Sequence, residues 1–154
     1  MADATIFDRL KQDHDAHRQL FDKMADAKDD NERLAKLFEQ FRVEVTAHAA
    51  AEEETLYATM LARPDLREDA QHSVSEHKEI DDYLEELQEQ DFNSTAWRET
   101  FDKMKKRYLH HIEEEEEEMF PDAAAELTTE EEQKLAATFA QRKPAELQRA
   151  ENAD

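Results

Sequence analysis

Apolar side chains recur every three or four residues along four long stretches of the chain, the spacing that gives a helix one apolar face. On residues 5–28 the stripe is Leu10, His14, His17, Phe21 and Met24. On residues 31–61 it is Leu34, Phe38, Phe41, Val45, His48 and Glu52. Residues 66–89 carry Ala70, Ser73, His77, Ile80, Leu84 and Leu87, and residues 95–119 carry Trp97, Phe101, Met104, Tyr108, His111 and Glu115. Arg63-Pro64-Asp65 breaks the second stretch from the third, and Asp91-Phe92-Asn93-Ser94 offers a cap for the fourth. Pro121 marks the end of the fourth helix, and a shorter fifth starts at Thr128 or Thr129, where Thr-x-x-Glu forms a capping box.

Stripes of this period, joined by short connections, predict an all-α fold, an up-down-up-down four-helix bundle with a short extra C-terminal helix. The expected boundaries are residues 1–122 for the bundle, 123–143 for the appended helix, and 144–154 for a disordered tail beginning at Pro144.

Composition agrees with the helical reading. The chain of 154 residues has no glycine and only three prolines, so tight turns are scarce. It has no cysteine, which excludes disulfides, thiolate zinc sites, iron–sulfur clusters and cysteine nucleophiles. Asp and Glu number 41 against 20 Lys and Arg, a formal net charge of −21. Such a chain repels nucleic acid and anionic membranes and gathers cations. The start, Met1-Ala-Asp-Ala-Thr-Ile-Phe7, lacks a basic segment followed by an apolar one, and no apolar run reaches membrane-spanning length. The expected location is cytoplasmic.

The stripes contain something a plain core would not. Each of the four has a histidine midway along, where leucine would pack better, and two add a glutamate one turn later. Glutamate is almost never fully buried unless its charge is compensated. An internal repeat orders these residues. His14 and His77 lie 63 residues apart, as do His48 and His111, and Glu52 and Glu115. Asp13 and Glu76, Phe38 and Phe101, and Tyr57 and Phe120 keep the same offset. Each half offers an acid-His pair on one helix and His-x-x-x-Glu on the next, and an i,i+4 pair shares a helix face. Two halves around a pseudo-two-fold would bring four imidazoles and two carboxylates to the bundle centre, a dinuclear ligand set. Imidazole and carboxylate without sulfur suit iron best, with manganese or zinc as alternatives.

At these residues the chain resembles the hemerythrin-like family of the histidine–histidine–glutamate cation-binding type. The matching stretches are Leu10-Lys-Gln-Asp-His14, His48-Ala-Ala-Ala-Glu52-Glu-Glu-Thr-Leu-Tyr57, Ser75-Glu-His77-Lys-Glu-Ile80 and His111-Ile-Glu-Glu-Glu115-Glu-Glu-Glu-Met-Phe120-Pro121. The resemblance implies two non-haem iron ions, with His14, His48, His77 and His111 as terminal ligands. Glu52 and Glu115 would bridge the two, with an oxo, hydroxo or water bridge. One position departs from the oxygen-carrying members. They use a fifth histidine one turn before the third-helix ligand, where this chain has Ser73. His72 points about 140° away from His77 on the helix and is a poor substitute. Water, Tyr108 and His17, the last two each one turn from a proposed ligand on the inward stripe, are the candidates to fill the gap.

Three functions fit these residues. The first is a di-iron protein that binds or reacts with O2, peroxide or nitric oxide, as sensor, scavenger or oxygen handler. Peroxide-consuming activity, catalase- or peroxidase-like, belongs to this reading. The second is a redox-inert iron or other cation binder, and the third a metal-free helical interaction module. Ferritin-type sites are disfavoured, since they pair glutamate with Glu-x-x-His. An apolar lining from Phe41 and Met104 is expected around the centre.

Overall fold

The computed structural model describes residues 4–153. Met1-Ala2-Asp3, part of the stretch read for a signal peptide, and Asp154, the end of the expected tail, lie outside the described residues. All regular structure among them is helical. Helix α1 (Ile6–Asp26) starts at a capping box in which Thr5 accepts from the Asp8 amide and the Asp8 carboxylate returns to Thr5. Helix α2 (Asn31–Glu52), capped by Asp30, passes through a π-helical turn (Glu53–Tyr57) into α3 (Ala58–Leu61). Helix α4 (Pro64–Glu89) follows. Helix α5 (Thr95–Glu114), capped by Ser94, passes through a second π turn (Glu115–Met119) into α6 (Phe120–Ala124). Helix α7 (Thr129–Asn152) begins at the Thr128 capping box with Glu131.

The four long rods form the bundle, and α7 packs as a fifth helix against α1 and α2. Three boundaries differ from those the sequence suggests, all at prolines. Pro64 does not precede α4 but opens it, since the first helical residue needs no amide donor. Pro121 does not end the fourth rod, because the wider π turn before it makes room for the ring. Pro144 does not end the fifth helix, which continues to Asn152, so residues 144–152 of the expected disordered tail are helical. An interior proline costs about 3 kcal/mol. Packing offsets it here, for Glu146 and Ala150 beyond the proline are buried, and Arg42 of α2 donates to the Ala150 carbonyl.

The core is split. One apolar cluster holds Phe21, Met24, Phe38, Phe41, Leu84 and Trp97 toward one end of the rods. Another holds Ile6, Leu10, Leu56, Met60, Leu66 and Phe120 toward the other. On each of the four rods the buried histidines and glutamates cluster where these two sets meet. A polar layer therefore crosses the middle of the bundle, sealed above and below by apolar packing. No helix among the described residues is long and apolar enough to cross a membrane.

Candidate metal centre

The polar layer contains all six residues singled out by the repeat, and each is 6% exposed or less. Glu52 Oε1 lies 3.7 Å from His48 Nε2 on its own rod and 3.3 Å from His77 Nε2 of the other half. Glu115 Oε1 lies 3.3 Å from His111 Nε2 on its own rod and 3.4 Å from His14 Nε2 of the other half. Each carboxylate thus joins the two halves. His14, His48 and Glu52 present donor atoms within 4.8 Å of one another, and so do Glu52, His77 and His111, with Glu52 common to both trios. Both glutamates sit at π turns, one just before Glu53–Tyr57 and one opening Glu115–Met119. A π turn rotates the residues after it relative to those before it, and such turns recur at functional sites.

The outer face of the imidazoles is built as carefully as the inner one. His48 Nδ1 donates to Asp13 Oδ2 at 2.8 Å, His111 Nδ1 to Glu76 Oε1 at 2.8 Å, and His14 Nδ1 to Glu116 Oε2 at 2.7 Å. A carboxylate accepting at Nδ1 fixes the tautomer and leaves the Nε2 lone pair facing inward. The acids of the repeat cross to the neighbouring helix: Asp13 orients His48, not His14, and Glu76 orients His111, not His77. Glu116 had no signal in sequence beyond its place in a run of glutamates. His77 differs, with Nδ1 3.5 Å from Glu53 Oε1 and no hydrogen bond there.

These residues fit a cation. His14 Nε2, His48 Nε2, His111 Nε2, Glu115 Oε1 and both oxygens of Glu52 are buried without a hydrogen-bond partner among the described residues. An unsatisfied buried polar group costs about 1–3 kcal/mol, and a charged one more. Donor atoms that share a cation at about 2.1 Å stand roughly 3 Å apart, close to the 3.3–3.7 Å seen here. Electrostatics points the same way. Burial and the adjacent Glu115 charge push Glu52 well above the usual carboxylate range. For Glu115, the His111 charge and the adjoining Glu52 and His14 outweigh burial and hold it well below. Burial of two carboxylates in one layer disfavours holding both charges, a cost that a cation would relieve.

On the His77 side of the layer the structure adds a residue outside the two candidate side chains. Tyr57, fully buried, stacks on His77 with ring centroids 5.2 Å apart. Its hydroxyl donates to Glu115 Oε2 at 2.6 Å and lies 3.4 Å from His77 Nε2. The repeat pairs Tyr57 with Phe120, so a hydroxyl present in one half only was the available clue. His17 and Tyr108 instead bond each other, Nδ1 to hydroxyl at 2.7 Å, and neither belongs to the donor trios. His17 is fully buried, and its Nε2 has no hydrogen-bond partner among the described residues. His72 and His110 are exposed and lie against Glu114. A void of about 10 Å³ borders His48, His77 and His111, and its apolar side is formed by Val45, Ile80 and Tyr108, members of the same buried cluster as Phe41 and Met104.

Known proteins place this geometry. No curated protein matches the chain in sequence. A crystal structure of a hemerythrin HHE cation binding domain-containing protein from Mycobacterium kansasii superposes with a TM-score of 0.82 over 95% of this chain and 89% of that one, at 21% identity. At that identity the likeness establishes the shared fold. The family model for the hemerythrin HHE cation binding domain matches residues 5–123, the whole of the four-rod bundle and its polar layer. The chain belongs to the hemerythrin HHE cation-binding domain family.

Proposed function

We propose that His14, His48, His77 and His111, together with Glu52 and Glu115, hold two iron ions, and that the protein uses them to bind or react with O2, peroxide or nitric oxide. The observation that carries this reading is the set of buried donors without a hydrogen-bond partner among the described residues, the Nε2 atoms of His14, His48 and His111 and oxygens of Glu52 and Glu115, with His77 beside them in the same layer. When bound, a carboxylate-linked iron pair supplies two coupled one-electron changes and open positions for a small ligand. The chain's own residues do the rest. Asp13, Glu76 and Glu116 hold three imidazoles with Nε2 inward. Tyr57 holds the outer oxygen of Glu115. Val45, Ile80 and Tyr108 leave room for about one water-sized molecule beside three of the imidazoles.

Metal analysis of the purified protein, with ultraviolet–visible spectra before and after peroxide or nitric oxide, tests the proposal. The expected result is about two irons per chain and a spectrum that changes on adding either reagent. Two bound cations with no spectral response would replace it by the redox-inert cation binder. Folded protein that refuses iron would overturn both readings in favour of a helical interaction module.

A further inference from the structure

Asp13 stands where three helices meet. Its Oδ2 accepts from His48 of α2, while its Oδ1 takes the Arg9 guanidinium at 2.5 Å and the Lys143 ammonium at 2.9 Å. Lys143 comes from α7, beyond the residues matched by the family model. It is 8% exposed, and its only other ion pair among the described residues is Glu44 at 3.3 Å. Phe139, one turn earlier on α7, meets the His48 ring edge-on with centroids 5.8 Å apart. In the other half Glu76 also carries a cation, but it is Arg107 of α5, about a third exposed, at 3.1 Å.

Burying an ammonium costs several kcal/mol before its partners return anything, and methionine would fill the same space without that cost. A lysine placed here therefore calls for a role beyond packing. We propose that Lys143 is a positioning residue for His48: by clamping Oδ1 of Asp13 it aims Oδ2 at His48 Nδ1, keeping that proton in place and the Nε2 lone pair on the metal layer. Helix α7 is thereby part of the metal centre. The two cation positions are inequivalent, one oriented from a buried clamp on a separate helix and the other from a partly exposed arginine. This inference rests on reading the six residues as cation ligands.

The test uses the full chain with Lys143→Met, Lys143→Gln and Lys143→Arg, and zinc as the probe ion. In the metal-free protein, nitrogen-15 NMR of His48 is expected to show the Nδ1-protonated tautomer in the wild type and a mixture in Lys143→Met. In the loaded protein, competition with a chelator is expected to show one of the two zinc ions held about tenfold more weakly in Lys143→Met, with the other unchanged. Lys143→Arg, which keeps a cation, should restore both readouts. Unchanged His48 nitrogen shifts would overturn the proposal, as would equal weakening of both ions, the mark of a merely structural loss. If Lys143→Met does not fold, Lys143→Gln carries the same comparison. If the wild type binds no zinc or iron, the ligand reading fails, and the His48 tautomer still decides what Lys143 does.

Discussion

The Tyr57 hydroxyl donates to Glu115 Oε2 across the pseudo-two-fold, at 2.6 Å. It comes from the first half of the repeat and serves the carboxylate of the second. Tyr57→Phe deletes this donor and leaves a fully buried carboxylate oxygen without a partner. Urea unfolding of the metal-free variant should show a loss of about 1–3 kcal/mol. A stability equal to wild type would mean that the bond contributes nothing to holding Glu115.

Glu52 is the carboxylate common to both donor trios. Its folded pKa lies above its unfolded value, so stability present at acid pH is lost as pH rises through the folded value. Glu52→Gln removes that penalty. The metal-free variant should be more stable than wild type at pH 7, by about 1–4 kcal/mol, and should fail to load its full complement of cations. Thermal melts and metal analysis on the same samples check both halves of the statement. A destabilised variant with normal metal content would contradict it.

Cation binding should compete with protons at His111. Burial opposes the charged imidazole, but the Glu115 and Glu76 carboxylates beside it outweigh burial and raise its pKa to about 9. A raised value means that the protonated form stabilises the metal-free fold below pH 6.5, and that this contribution is lost as pH climbs through about 9. A cation must displace the proton, so zinc affinity should increase about tenfold per pH unit from pH 6.5 to about 8.5. Titration calorimetry in two buffers of different ionisation heat reads the affinity and the released proton together. A flat profile would count against His111 as a ligand.

Val45 closes the void beside His48, His77 and His111. Val45→Phe should fill it at a cost of about 1–3 kcal/mol in stability. Metal content should remain at the wild-type level while the reaction with nitric oxide or peroxide slows, followed by stopped-flow absorbance. An unchanged rate at unchanged metal content would place the reacting position elsewhere.

Much of this was legible before any coordinates. The 63-residue offset linking His14 to His77, His48 to His111 and Glu52 to Glu115 already named the six residues that the bundle gathers. Helical period and a ligand motif are local signals, and local signals survive in a single sequence. What was hidden depends on partners far apart in the chain. Lys143 meets Asp13 across 130 residues, and the periodicity of α7 says nothing about which bundle helix it will cover. Tyr57 was hidden for another reason. It lies five residues after Glu52, off the regular stripe, and only the π turn brings it round to the centre. The prolines misled because each was read by its usual effect on an isolated helix, whereas a first-turn position, a π turn and tertiary packing admitted them here.

The polar layer between two apolar clusters also makes the bundle mechanically divisible. Without cations its weakest plane is the middle, where like-charged and unpartnered groups face each other, and the two apolar ends can breathe independently. Filling the layer with cations would join the ends into one cooperative unit, and amides near His48 and His111 should then pass from among the fastest of the buried helical positions to exchange with deuterium to among the slowest. Cation supply would thereby lengthen the survival of the folded chain against proteases.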